Sequence, residues 1–518
     1  MGIILQVVSL AWRAFCKIAK FFGLWPLIIS VFAVLFVPRE WQDSALFNGA
    51  YTVLIGAMVV VAVMITIRNV IRFKNPGFCW MPVFTGFLEK KEIGFVAKEK
   101  GVAGSEISGM IFGKTKKSGK YISKPETEAG HALVTGGSRS GKTTSVAVPT
   151  LRKWKGRVFA VDIKPELHDL CKDYRDPEKI IVLDPASPDT VGYDPMYVLR
   201  ESANPAQAAK LIATTICPLT PEIKDPYWIE NAQRIFTAAL LFWKNESFAQ
   251  VIDNILTTPA KKIVTDIIDA NDTLALPFVM QYRDIEDKQI SSIMTTLLGK
   301  IDIFATDTQL KSVLDNSKWR LLRPVDLEEY DVFLKLPEYN LEIWKPFVSL
   351  VINQFLESFM HRSNDLTQTP ILFMLDEFPR LGKVPAIENG LATLASKKIE
   401  IMLLIQSKSQ LDTIYGKDVT KSIVDNCSWK AVLKATEPET QKWFSDMVGT
   451  YDKEKKSKNF NQNDIGVASG SGVSTSTQET RIIKPEEFAY LDKECVLLSP
   501  TGYQKLDQVR YYEDKNFQ

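Results

Sequence analysis

His131-Ala132-Leu133-Val134-Thr135-Gly136-Gly137-Ser138-Arg139-Ser140-Gly141-Lys142-Thr143-Thr144-Ser145-Val146-Ala147-Val148 places a short apolar run, a glycine-rich loop and a second apolar run in unbroken succession. The loop satisfies G-x-x-x-x-G-K-[ST], and its flanks give the order strand, loop, helix that phosphate binding requires. Gly136 and Gly141 free the backbone to aim successive amides at phosphate oxygens, and the start of the helix adds a partial positive charge. On this pattern Gly136, Gly137, Ser138, Arg139, Ser140, Gly141, Lys142, Thr143 and Thr144 line a nucleotide. Lys142 reaches the β- and γ-phosphates, and Thr143 ligates Mg²⁺. ATP and Mg²⁺ are the expected ligands.

Such a loop needs a partner carboxylate. Ile371-Leu372-Phe373-Met374-Leu375 is a continuous apolar run that ends in Asp376-Glu377. A run of this kind reads as a strand buried on both faces, so its acids emerge at the sheet edge. Asp376 is assigned to the metal and Glu377 to polarising the attacking water. A further strand, Ile399 to Ile405, ends in Gln406, a candidate sensor of the γ-phosphate. The runs from Arg157 to Asp162 and from Lys179 to Asp184 add strands. Strands alternating with helical stretches give a mostly parallel, three-layer α/β domain.

Composition agrees with a folded, water-facing chain of more than one domain: 518 residues, 46% hydrophobic and 24% charged. The six cysteines are scattered with no C-x-x-C pair, and the three histidines lack metal-ligand spacing. Zinc chemistry and a disulfide framework are therefore not indicated. The net charge of +2 is uneven, because basic residues concentrate near the start and leave the remainder close to neutral. Any contact with nucleic acid must then use a local basic lining and not bulk charge.

Two uncharged apolar segments, 21–37 and 50–67, are each about long enough to cross a bilayer as helices. Arg13, Lys17 and Lys20 precede the first; Arg68, Arg72 and Lys74 follow the second. By the positive-inside rule both termini face the cytoplasm. The expectation is a two-helix transmembrane anchor over residues 1–76, in a multi-pass membrane protein with its ATPase domain cytoplasmic.

Between about 204 and 316 the strand pattern stops, and Tyr227 to Trp243 shows helical apolar spacing. Trp228, Phe236 and Trp243 there read as core. The strand pattern resumes at Asp331 to Leu336. From Lys453 to Gln478 the chain turns polar and small, which predicts a mobile loop. Its lysines, Lys453, Lys455, Lys456 and Lys458, are candidates for phosphate contact.

With these pieces placed, the chain resembles the coupling ATPases of conjugative type IV secretion, the TraG/TraD-like and VirD-type proteins. Five features carry the resemblance: the two apolar segments, the loop at Gly136, Val161-Asp162-Ile163-Lys164-Pro165-Glu166, Asp376-Glu377-Phe378-Pro379-Arg380-Leu381-Gly382, and Lys484-Pro485-Glu486-Glu487. It implies an α/β fold in which a RecA-like P-loop ATPase domain, 77–203 and 317–518, is interrupted by an inserted all-α domain, 204–316, behind the transmembrane anchor. It also implies a DNA-stimulated motor, a homo-hexamer that delivers relaxase-bound single-stranded DNA and protein substrates to a type IV secretion channel. The expected partners are single-stranded DNA, the relaxosome with its relaxase, the channel components and the inner membrane. The catalytic set is Glu377, Lys142 and Gln406; the metal set is Thr143 and Asp376. One departure stands out: ring-forming relatives borrow a neighbour's arginine, yet Ile414 to Gly449 contains none. Lys421, Lys430 and Lys434 are the substitutes there, although a lysine is a point charge and not a planar fork. Two alternatives stand beside this reading: an FtsK-like double-stranded DNA translocase, and an ATP-switched membrane adaptor that recruits protein effectors.

Overall fold

The computed structural model describes residues 96–97, 101–220, 223–365, 367–462 and 468–518. Apolar runs become strands where the sequence predicts them: β3 (Ala132–Thr135), β4 (Arg157–Asp162), β5 (Ile180–Leu183), β8 (Asp331–Lys335), β9 (Ile371–Leu375) and β10 (Ile399–Ile405). Every residue of β9 and β10 is buried, as befits strands covered on both faces. Together with β11 (Trp429–Val432) they run parallel in the order β5-β8-β4-β9-β10-β3-β11.

The sheet then continues through segments whose apolar pattern is too broken to read as strands. β14 (Glu494–Ser499) pairs antiparallel with β11, β15 (Gly502–Asp507) with β14, β1 (Met110–Thr115) with β15, and β2 (Tyr121–Lys124) with β1. The result is one mixed, eleven-stranded sheet.

Because side chains alternate along a strand, the sheet has two distinct faces. Leu133, Phe373, Leu375, Leu403 and Ile405 point into one core, shared with the helix Leu341–Met360 and the helix Ala386–Thr393. Val134, Leu372, Met374, Met402 and Leu404 point into the other, shared with the helix that follows the glycine-rich loop. This is the three-layer α/β arrangement. Its loop emerges at the C-terminal edge of the parallel strands.

The chain between Pro195 and Leu314 is helical, and its longer helices include Pro205–Ile216, Tyr227–Phe242, Phe248–Thr257 and Asp287–Ile301. Their apolar faces do not close on themselves; they join the core on the Leu341–Met360 side of the sheet. Phe236 is fully buried there and Trp243 packs against its edge, whereas Trp228 is 38% exposed. The root is a buried polar knot beside β6 (Gly192–Tyr193), which pairs with β7 (Leu321–Leu322). Tyr193 donates to Gln354 Oε1 at 2.6 Å, and Gln354 Nε2 donates to the Pro195 carbonyl at 3.0 Å. Asp194 accepts from Met196 N, Phe248 N, Arg200 and Asn316. Each buried polar group is satisfied, so the helices are fixed to the sheet layer through directed bonds as well as apolar contact.

Two sequence expectations need correction. The stretch from Lys453 to Gln478 is not a loop throughout: β12 (Thr450–Gln462) and β13 (Ala468–Arg481) form a separate antiparallel ribbon, registered from Thr450 opposite Arg481. Two strands satisfy each other's backbone without an apolar stripe, so polarity alone did not exclude them. The second correction concerns location. Among the described residues no helix is long and apolar enough to cross a membrane. The multi-pass inner-membrane placement is therefore not retained. The long apolar helix of the fold, Leu341–Met360, carries Glu342, Lys345 and Glu357 and buries its apolar residues in the core. The anchor assigned to residues 1–76, with its segments 21–37 and 50–67, lies outside the described residues.

Candidate nucleotide site

The glycine-rich loop is held from both sides by strand ends. Gly136 N donates to the Ile405 carbonyl at 3.0 Å, at the tip of β10, and Gly137 N donates to the Lys434 carbonyl at 2.8 Å, just past β11. Gly141 has φ +99°, a left-handed conformation that a side chain resists, so glycine is required at that turn. Arg139 is left-handed as well, at φ 60°, at the exposed tip beside Ser138. The helix then begins with a π-turn over Lys142–Ala147 and continues as Val148–Lys153. Thr143 and Thr144 are half-buried in its first turn.

Three charged side chains of the predicted set meet beside this loop. Lys142 is buried; its Nζ donates to the Gly136 carbonyl at 2.6 Å and lies 3.5 Å from Glu377 Oε1. Asp376 is buried at the end of β9 and accepts from Glu377 N at 3.0 Å. Burial, with Glu377 beside it, pushes the Asp376 carboxyl up to about 6, while Lys142 and the Glu377 amide pull in the other direction. Asp162, at the end of β4, is a third buried acid in the same field. Its carboxylate accepts from Glu166 N and His168 N, both at 3.0 Å, and burial still holds it above the usual carboxylate range. Lys164 and Glu166 of the same motif are exposed.

Glu377 carries two signs of a working residue. Its backbone is left-handed, at φ 46° and ψ 43°, a conformation that costs a non-glycine residue about 1–3 kcal/mol. Its Oε2 is buried with no hydrogen-bond partner. Ser140 Oγ and Thr135 Oγ1, beside the loop, are likewise buried and unpaired. Unpaired acceptors and hydroxyls are costly in a nucleotide-free loop, and phosphate oxygens, a metal with its waters, and an attacking water are groups that would pair with them. The residues present thus fit a magnesium nucleotide.

Other expected members are placed less directly. Gln406 is half-buried and follows Ile405, whose carbonyl receives the Gly136 N–H. Thr143 and Asp376 are not joined by a hydrogen bond among the described residues. Of the lysines proposed in place of a neighbour's arginine, Lys430 is tied to the Cys427 carbonyl and burial lowers its basicity. Lys421 and Lys434 are exposed. One contact escaped the sequence: Gln508, beyond the last strand, reaches the loop at Ser140 and Ser145. It belongs to no motif and lies more than 360 residues away in the chain, so no local signal could have found it.

The model of the type IV secretory system conjugative DNA transfer family matches residues 89–518. The chain belongs to that family. Among curated members and relatives, Protein VirD4 of Agrobacterium fabrum is 26% identical over 505 residues, covering 92% of this chain and 73% of that protein. Conjugal transfer protein TraG of the same organism is 25% identical over 395 residues, covering 71% of this chain and 58% of its own length. Among solved structures, the plasmid coupling protein TrwB in complex with ADP and Mg²⁺ superposes with a TM-score of 0.59 at 17% identity, over 77% of this chain and 88% of that one. The α/β fold described above, with its large mixed sheet, thus resembles that of TrwB. Four of the five features that carry the resemblance, from the Gly136 loop to Lys484-Pro485-Glu486-Glu487, fall within the matched residues, and the two apolar segments precede them.

Proposed function

We propose that this chain is a coupling ATPase of conjugative type IV secretion, binding and hydrolysing MgATP to deliver single-stranded DNA with its relaxase, and protein substrates, to the secretion channel. Membership of the conjugative DNA transfer family supports the process. The observation that carries the chemistry is the meeting of Lys142, Asp376 and Glu377 beside the glycine-rich loop, with one Glu377 oxygen buried and unpaired.

In this proposal Lys142 exchanges its contact with the Gly136 carbonyl for the β- and γ-phosphates. A charge-assisted bond to phosphate is stronger than one to a neutral carbonyl, so the exchange is favourable. Thr143 and Asp376 hold Mg²⁺, which when bound neutralises charge on the phosphate oxygens. Glu377 Oε2 accepts a hydrogen bond from the attacking water, orients it and takes up its proton. Gln406 stands at the adjoining strand tip as the candidate sensor. Phosphoryl transfer is mostly a matter of positioning and electrostatics, and buried, preoriented side chains suit that demand. The proposed working form is a homo-hexamer in which a neighbour completes each site.

The double-stranded DNA translocase reading loses ground to the family match. The switched-adaptor reading needs only binding, and the unpaired Glu377 oxygen argues for chemistry beyond it. ATP turnover by the purified chain tests the proposal: Lys142→Ala should lower turnover on the order of 10²-fold and weaken nucleotide affinity. Undiminished turnover in that variant would remove the assignment.

A further inference from the structure

The flank of the glycine-rich loop away from β10 is occupied by the last stretch of the chain. Gln508 Nε2 donates to the Ser140 carbonyl at 3.1 Å and to the Glu494 carbonyl at 3.1 Å, while its Oε1 accepts from Ser145 Oγ at 3.1 Å. One amide thus bridges the loop, the first turn of its helix and β14. The space for it exists because residue 141 is glycine: a Cβ there would stand 2.6 Å from Gln508 Oε1.

The anchor behind Gln508 is firm. Gln508 N donates to the Lys493 carbonyl at 2.8 Å, and Tyr511 N donates to the Thr144 carbonyl at 3.1 Å. Val509 and Phe517 are buried in a small core with Ile107, Ile111 and Tyr121. Arg152, on the loop's own helix, donates to the Phe517 carbonyl and lies over the rings of Tyr174 and Tyr511, 3.9 and 4.8 Å from their centroids. Residues 508–517 therefore run along that helix as a strap, fixed at both ends.

The contact at Ser140 has a directional consequence. In a trans peptide the C=O and the following N–H point in opposite directions. A Ser140 carbonyl held by Gln508 turns the Gly141 N–H to the other side, into the loop where phosphate oxygens would lie. Lys142 and Thr143 follow immediately, so the orientation of that one peptide sets the start of the anion-binding turn.

We propose that Gln508 is a positioning residue for the phosphate-binding loop: its amide fixes the Ser140–Gly141 peptide and Ser145 against the C-terminal strands, and so sets the affinity for the triphosphate group of a nucleotide. The inference rests on the nucleotide reading above. Only an amide does this work, since it must donate to two carbonyls and accept from a hydroxyl at once. A glutamate would keep the acceptor and set a negative oxygen against two carbonyls.

The test compares Gln508→Ala, Gln508→Glu, Val509→Ala and Lys142→Ala in the full chain, with ATP turnover and binding of a fluorescent ATP analogue as readouts and thermal unfolding alongside. The expected result is a KM and analogue Kd raised about tenfold in both Gln508 variants, as for the loss of two or three hydrogen bonds, with kcat nearly unchanged. Val509→Ala loosens the same strap without touching the loop, and should lower the melting temperature while leaving KM alone. Wild-type KM in both Gln508 variants, with Lys142→Ala inactive, overturns this inference and leaves the nucleotide reading standing. A KM rise in Val509→Ala equal to that in Gln508→Ala also overturns it, since the strap would then act only by general stability. Normal nucleotide binding in Lys142→Ala overturns both.

Discussion

Asp376 and Glu377 are adjacent in sequence and opposite in circumstance. Asp376 ends a strand, buried, with its carboxyl raised to about 6; Glu377 turns into the left-handed region and leaves one oxygen without a partner. Two predictions separate them. Glu377→Gln keeps shape and volume but cannot take a proton, so MgATP should still bind while turnover falls about 10²-fold or more; equilibrium binding beside steady-state rates reads the split. Asp376→Asn keeps the acceptor for Glu377 N and removes a buried charge, so the nucleotide-free variant should be more stable than wild type by on the order of 1–3 kcal/mol at neutral pH. The sign follows from the raised folded-state value: the stabilising contribution of a protonated Asp376 is complete below its unfolded value of 3.8 and lost as pH rises through about 6. The advantage of the variant should therefore shrink as pH falls below about 6, and thermal unfolding across that range checks it. A variant less stable than wild type at pH 7.5 would mean that the carboxylate is held by attractions stronger than its burial. The motif residues were legible because their chemistry requires fixed spacing along one strand, loop and helix. Gln508 was not, because a side-chain amide far along the chain leaves no pattern until the fold closes.

Among elements, legibility tracked apolar content. β3, β4, β8, β9 and β10 are nearly continuous apolar runs covered on both faces, β5 is an apolar run at the sheet edge, and the sequence announces them all. β14 and β15 mix charged and apolar residues at the antiparallel end of the sheet, where the burial pattern is broken and the signal is weak. The β12–β13 ribbon is the extreme case. Among the described residues it pairs only with itself, and its sequence, with Lys453, Lys455, Lys456 and Lys458 on one strand and mostly Ser, Thr and Gly on the other, has no apolar period to read. A two-stranded ribbon on its own is marginal in water, so its persistence over such a length suits an element that works against something else. Lys453 stands opposite Gln478, so an Asn-Gly turn joining them removes the outer ribbon and leaves a tight hairpin. That shortened chain should keep its melting temperature and its DNA-free ATP turnover, and lose most of any stimulation by single-stranded DNA. Equal stimulation of the shortened and full chains would show that the lysines are merely solvated.

At the scale of the whole molecule, the nucleotide site opens at the edge of the sheet, and the stretch Ile414 to Gly449 supplies no arginine to it. Catalysis at such an edge gains from a cation brought by a second subunit, because charge on the transferred phosphoryl group is spread over oxygens that Lys142 alone does not cover. Exposed Lys421 and Lys434 are within this stretch; Lys430 is spent on the Cys427 carbonyl. Assembly should therefore raise activity. Turnover per subunit should climb with protein concentration, and climb further with single-stranded DNA. The net charge of +2 over 518 residues gives no bulk attraction for DNA, so any binding must come from lysines and arginines gathered where the strand passes. Each phosphate contact releases condensed counterions, and for single strands the logarithm of affinity falls with the logarithm of salt by roughly 0.7 per contact. The DNA stimulation should accordingly weaken steeply between about 50 and 200 mM salt, while DNA-free turnover changes little. The measurement is turnover against enzyme concentration at two salt levels, with and without single-stranded DNA. A specific activity that stays flat in all of these conditions would leave the ATPase chemistry intact and remove the case for a DNA-coupled assembly.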